Sequence, residues 1–372
     1  MAHGGDGDKA ASGSGRGSAD EGEEEECTGL EPFFFDEAAA VAEHEQRQRR
    51  ERRAARKAAR KAARRRRRVR AHRAAMDGIR SHDPKQGGEY YTRYPFADLS
   101  KFDLDEESAI GAMRFSDVVY KEGDYWELCE AINFLAVEIV SSDVGFPMEV
   151  YGSVIARDSI DHKCVYLFRR DRDHCQLITS EDESLILTGP KRGIASIDDT
   201  YVEFDLKIKE DQQDKELSKG YVSIRGARVQ FEKYKLESRS LDTRLSTVEV
   251  TYAVVRDAVE AAIAVEVLQG HFQGEIIASP ASFDDDNLVL YDSSTMAGLI
   301  TGDGKGVIQL SRPVVAVNLK DMLSLTIIAQ TGDVQAEGTV EFAPRINGAD
   351  EVETNVGDIK MLVKVTWSII DL

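Results

Sequence analysis

The chain has 372 residues, an ordinary hydrophobic content of 42% and a formal net charge of −19. That length suits one to three domains with a substantial core. An acidic body excludes general attraction for nucleic acid or anionic membranes, and no run of about 18 apolar residues offers a membrane span.

The charge is unevenly placed. Residues 1–45 hold 2 Lys/Arg against 13 Asp/Glu, residues 46–80 hold 17 against 2, and residues 81–372 hold 29 against 52. A strongly basic segment of net +15 therefore sits inside an acidic protein. Residues 1–35 read as a disordered acidic tail, too poor in apolar surface to offset chain entropy. Within them Glu31–Phe35 (EPFFF) is an isolated aromatic knot, suited to packing on the body or to docking. The first residues lack the apolar core of a signal peptide, so the expectation is a cytoplasmic or nuclear protein, not a secreted one.

Residues 36–80 predict a long basic helical arm. They contain no Pro, one Gly near the end, and many Ala and Arg, all strong helix formers. Ala pairs at 54–55, 58–59 and 62–63 give a narrow small-residue stripe, and most other positions are cationic. Such a helix has no apolar face to dock on a core, and like charges four residues apart repel. It should be marginal alone and ordered by an anion.

The candidate nucleic-acid-binding residues are Arg52, Arg53, Arg56, Lys57, Arg60, Lys61, Arg64, Arg65, Arg66, Arg67 and Arg68. Neutralising phosphates with such side chains releases counterions and gives salt-sensitive, largely sequence-blind binding. RNA, the ribosome or the import machinery would be the partner. The competing reading is a solvated helix paired with the acidic tail or the body.

Residues 81–130 predict an irregular connector wrapped over the body, with residues 125–132 (YWELCEAI) as a helix turn or the entry to a strand. Residues 131–372 predict an all-β body. Runs such as AVEIV (136–140), MEVYGSVIA (148–156), SLILTG (184–189), STVEVTYAVV (246–255) and KMLVKVTWSII (360–370) are rich in Val, Ile, Thr and Tyr, with turn residues at about ten-residue spacing. The expected architecture is one or two antiparallel β-sandwich units, with halves at 131–231 and 245–372 and a linker over 232–244. GPKRGIASIDDTYVEFDLKIK and GVIQLSRPVVAVNLKDMLSLTIIAQ share an order of Gly, basic residue, apolar run, Asp and strand, which suggests an internal repeat.

The motifs VGFPMEVYGSVIARDSIDHKCVYLFRRDRDHCQLI, LILTGPKRG, DKELSKGYVSI, SLDTRLSTVEVTYAVV, VIQLSRPVVAVNLKDML and VKVTWSIID resemble the plant, chiefly grass, proteins carrying the domain of unknown function 6598. The resemblance covers roughly residues 84–372. Some members of that family are linked to ribosome-inactivating (rRNA N-glycosidase) domains, which implies translation or defence by association. The matching active-site pattern, Glu-Ala-x-Arg-Phe on a helix followed by a Trp, is not present: EAAAV at 37–41 lacks the Arg, and Trp367 sits in a strand-like run. No catalytic residue carries over.

Other constellations are weaker. Cys27, Cys129, Cys164 and Cys175 form no CxxC pair and read as reduced thiols, though Cys164 and Cys175 could face each other across a hairpin. Asp158, Asp161, Asp171, Asp173 and Asp284–Asp286 could collect in loops as calcium ligands, but without EF-hand spacing they read as solvated charge. GPKRG (189–193) and TGDGKG (301–306) look like phosphate-cradling turns, yet read better as hairpin turns where Gly supplies φ > 0. His162, Cys164, Asp173, His174 and Cys175 could converge on a hairpin as a nucleophile–base pair, but read better as surface histidines and core cysteines. No cofactor or metal is assigned. The reading is a non-enzymatic binding protein; the alternatives are a hydrolase with its site in the sandwich loops, and a partner-binding domain with a solubilising arm.

Overall fold

The computed structural model describes residues 36–121, 127–226, 234–280, 287–295, 306–332 and 334–371. The expected acidic tail with its aromatic knot, Cys27, Asp284–Asp286 and nearly all of TGDGKG lie outside the described residues. The chain divides into two units, one ending at Arg65 and the other beginning at Arg66.

The first unit contributes most of helix α1 (Glu37–Gly78), 42 residues long with none buried. Asp36 caps its start by accepting the Ala39 N–H at 3.0 Å, and Glu37 adds negative charge to the first turn. Glu43 and Glu45 face Arg47 and Arg49 one turn on, at 3.9 and 3.7 Å.

The second unit holds the rest of α1 and the β body. A small hairpin follows the helix, β1 (Arg80–Asp83) with β2 (Gly88–Tyr91). Asp83 accepts the Lys85 N–H at 3.0 Å, and Gly87 turns the chain at φ 75°. Sequence reading placed this hairpin in an irregular connector.

Nine strands then build a first sandwich: β3 (Ala131–Ser142), β4 (Met148–Arg157), β5 (Val165–Arg170), β6 (Gln176–Ile178), β7 (Ile194–Ala195), β8 (Thr200–Ile208), β9 (Lys215–Ile224), β10 (Tyr234–Thr243) and β11 (Ser246–Val255). One sheet runs β10-β11-β3-β7; the other runs β5-β4-β8-β9, with β6 also on β4. Val137 and Val250 from one sheet share a core with Val154 and Phe204 from the other. The alternation of STVEVTYAVV turns Val248, Val250 and Tyr252 inward.

Nine more build a second: β12 (Ala258–Gln269), β13 (Gly274–Pro280), β14 (Leu288–Asp292), β15 (Gly306–Ile308), β16 (Val314–Asn318), β17 (Leu323–Thr331), β18 (Val334–Phe342), β19 (Asn347–Val356) and β20 (Ile359–Ile369). Here the orders are β19-β20-β12 with β15 and β16 beside β12, and β14-β13-β17-β18. Apart from the placing of β6 and β15, this repeats the first sandwich strand for strand. The fully buried Trp367 centres the second core, its indole N–H donating to Asp350 at 2.9 Å.

A smaller cluster of Ala131, Ala195, Val255, Ala258, Ala316 and Ile370 joins the two cores. The body is therefore all-β, in antiparallel sandwich sheets, as expected. Three local expectations fail. Residues 234–243, expected within a linker, form β10 fully paired with β11, and the two cores separate near Val255 and Ala258 instead. SLILTG is no strand; it makes one bridge, Ser184 to Glu138, and a bond from the Leu185 N–H to Val137 O at 2.7 Å. Gly189 and Gly193 do not have positive φ. A Cβ on Gly189 would stand 2.0 Å from the Tyr166 carbonyl oxygen, so close backbone approach explains that glycine, while one on Gly193 would first meet the end of the Ile370 side chain, at 2.7 Å. Gly306, the described end of TGDGKG, does have φ 68°.

The segment after β2 is pinned by buried polar bonds. Glu203, 4% exposed, accepts from Arg157 Nε at 2.7 Å, Arg93 Nε at 3.1 Å and the Tyr94 N–H at 2.8 Å. Glu260, 5% exposed, accepts the Met113 N–H at 2.6 Å and the Gly193 N–H at 2.5 Å. Removing Arg157 from its buried ion pair with Glu203 costs about 3–5 kcal/mol.

Candidate nucleic-acid interface

At about 1.5 Å per residue, α1 is about 63 Å long. After Glu51 the helix offers no carboxylate until Asp77, while 13 Lys and Arg side chains occupy positions 52–73. All eleven candidate residues from Arg52 to Arg68 lie on the helix and are exposed.

Their spacing decides how the charge is displayed. A step of four residues advances about 6 Å and turns about 40°. The rows Arg52-Arg56-Arg60-Arg64 and Arg53-Lys57-Lys61-Arg65 therefore wind around the helix as they rise. The alanine stripe winds too, by about 80° from Ala54 to Ala62, and stays within one half of the helix. Beyond it, Arg66 and Arg67 fill the positions where the stripe would continue. The helix presents cations around most of its circumference, unlike an interfacial membrane helix, which needs one apolar face.

Arg68 differs from the other ten. Its guanidinium donates through Nε to Asp98 Oδ2 at 2.7 Å and makes a second, shorter contact through Nη2. The Ser100 hydroxyl and Arg68 hold the Asp98 carboxyl down at about 2, well below its ordinary value. His72 Nδ1 lies 4.0 Å from the same carboxylate. Arg68 thus belongs to the helix's anchorage within the second unit. Sequence spacing could not reveal this, since Asp98 lies thirty residues away.

The body's candidate clusters do not converge. Arg192, 2% exposed, binds Asp158 with both Nη atoms at 2.6 and 2.9 Å and lies 3.5 Å from Asp161. Asp171 is engaged by the His174 ring at 2.8 Å, and Asp173 extends its N–H to Asp171. Among the described residues no three His, Cys, Asp or Glu side chains come together as a metal site.

The His162 ring stacks on Tyr94, while the Cys164 thiol donates to Leu104 O at 3.1 Å. Burial pushes the Cys164 and Cys175 thiols up, the opposite of an activated nucleophile. Cys164 and Cys175 do not face each other: β5 and β6 both pair with β4, at different places along it. Cys129, Cys164 and Cys175 are free thiols.

A tandem pair of antiparallel β-sandwiches preceded by an exposed cationic helix is thus the class of protein. The chain belongs to the family described as domain of unknown function DUF6598, whose family model matches residues 131–365. The match spans both sandwiches and leaves α1 outside. No curated protein sequence matches the chain. Among solved structures, the C2A and C2B domains of extended-synaptotagmin 2 align at 9% identity, covering 73% of this chain and 100% of that one, with a TM-score of 0.23. Human GIVD cytosolic phospholipase A2 aligns at 9% identity over 66% of this chain and 31% of that one, with a TM-score of 0.22. Likenesses this distant carry no argument. No helix among the described residues is long and apolar enough to cross a membrane.

Proposed function

We propose that the protein is a non-catalytic binding protein whose helical arm grips the phosphate backbone of structured RNA, with the ribosome as the setting. One observation carries this reading: from Arg52 to Arg67 the exposed helix displays ten candidate cations with no intervening carboxylate. Charge wound around a helix suits a groove, where phosphates flank it on more than one side, better than a flat surface. Arg adds bidentate contacts to phosphate. The resemblance to proteins linked with ribosome-inactivating domains supports the translational setting by association.

Binding measured across a salt series tests it. Each phosphate neutralised should contribute a slope of about −0.7 to −0.9 in log affinity against log salt. Changing Arg56, Lys57, Arg60 and Lys61 together to Gln should weaken binding to a structured RNA and flatten that slope by about 3. Absence of a mobility shift at low salt, or an unchanged slope in the variant, overturns the RNA reading. In that case residues 46–80 fused to a fluorescent protein would show whether the same cluster serves nuclear import.

A further inference from the structure

We propose that the first sandwich carries a second, unrelated binding site, which takes a small molecule with an oxyanion headgroup on an apolar or aromatic body. The site is a cavity of about 450 Å³ between the strap at residues 107–111, strand β5 and the segment 188–192. It is independent of the arm and does not rest on RNA binding.

Basic side chains outnumber acidic ones in the cavity's lining. Lys191, Arg169 and Arg192 line it, against the single carboxylate of Glu107. The buried Arg192 is neutralised by Asp158, and Glu107 lies 3.7 Å from Arg169. Lys191 is exposed and forms no ion pair among the described residues. Asp161, 3.5 Å from Arg192 and accepting the Ser108 hydroxyl, balances that side, so what the cavity offers is an ammonium with no carboxylate of its own. Beside it stand the apolar surfaces of Ile110 and Val165 and the ring of Tyr166. The Arg169 guanidinium lies over that ring, 4.4 Å from its centroid. An ammonium and a guanidinium beside an apolar wall match an anion attached to a flat or greasy body.

The walls are fixed before any ligand arrives. The Ser108 N–H donates to Cys164 O at 2.9 Å, and the Cys164 N–H donates to Glu106 O at 2.9 Å, so the strap is stitched to the chain entering β5. Lys163 adds an ion pair to Glu106 at 2.5 Å. On the far side, Gly189 lets the backbone press against the Tyr166 carbonyl, and the Thr188 N–H donates to Leu167 O at 2.8 Å. Lys191 is thus carried on a segment anchored at both ends, by Thr188 and by Arg192. A preformed cavity spends little ordering entropy on binding.

The test titrates phenyl phosphate into the full-length protein by calorimetry. Three proteins are compared: the unaltered chain, a Lys191→Gln/Arg169→Gln variant, and a Lys57→Gln/Lys61→Gln variant that alters only the arm. Lys191 and Arg169 are exposed, so the cavity variant should melt with the unaltered protein, and the melting curve verifies this. The expected result is saturable binding that weakens by about tenfold or more in the cavity variant, the loss of two charge-assisted contacts, and is unchanged in the arm variant. Equal binding by the unaltered and cavity proteins overturns the proposal. So does binding lost with the arm lysines, or no saturable binding at all. The RNA reading stands or falls separately, on its own salt slope.

Discussion

Asp98 illustrates how a single carboxylate fixes the end of a charged helix. Its Oδ1 accepts the Ser100 hydroxyl at 2.6 Å, while Oδ2 takes Arg68. Its folded value near 2 lies below its ordinary 3.8. A depressed carboxyl contributes stability that is full above the ordinary value and is lost as pH falls through the folded one. Lowering the pH from about 4 to about 2 should therefore protonate Asp98 and loosen the Arg68 anchorage. The carboxyl carbon of Asp98, followed by NMR, should titrate near 2, and in an Arg68→Gln variant it should move upward. A midpoint unmoved by that substitution would show that Ser100 alone holds it. Of the eleven candidate cations, only this one has a distant partner among the described residues, which is why composition and spacing could not single it out.

At the level of the element, α1 balances strong intrinsic propensity against self-repulsion. Arg52, Arg56, Arg60 and Arg64 stand one turn apart, as do Arg53, Lys57, Lys61 and Arg65. Such like-charged neighbours oppose the helix, and salt or a polyanion screens them. The helical circular-dichroism signal of the full chain should thus deepen as sodium chloride rises from about 20 to about 500 mM, over which the Debye length shrinks severalfold. A flat response would mean that repulsion is not what limits the helix.

Much of the fold was legible at this scale. The helix was expected over 36–80 and runs Glu37–Gly78; STVEVTYAVV was expected over 246–255 and is β11 residue for residue. Two of the missed strands share a physical reason. β10 (YKLESRSLDT) and β19 (NGADEVETNV) lie at sheet edges, where one flank faces no neighbouring strand and charged side chains are favoured, so their composition reads as loop. SLILTG misled in the opposite direction. Its Leu185 and Leu187 fill the core without a ladder, because burial and not pairing selects their apolar character. The Lys191 cavity was half legible. GPKRG was noticed as a phosphate-type turn, but the strap and the Tyr166 ring that complete it come from distant sequence.

At the scale of the whole body, two copies of one strand order lie in sequence. They meet through small residues and through Asn133, whose side-chain amide both donates to Ala316 O at 2.8 Å and accepts the Ala316 N–H at 2.9 Å. The faint repeat in the sequence corresponds to β7–β8 in one copy and β15–β17 in the other. In each copy the first strand pairs with the last: β3 with β11, and β12 with β20.

That pairing sets a timetable for the chain as it leaves the ribosome. Neither copy can complete its sheet until its final strand has been made, so strands between first and last wait with exposed edges. Nascent chains truncated just before Ser246 should be cut readily by protease across residues 131–243. Chains extended past Val255 should protect that whole stretch at once, before any of the second copy is finished. Gradual protection, strand by strand, would show that assembly does not wait for β11. Removing the final strand, Ile359–Ile369, would leave both β12 and β19 without the partner that joins them.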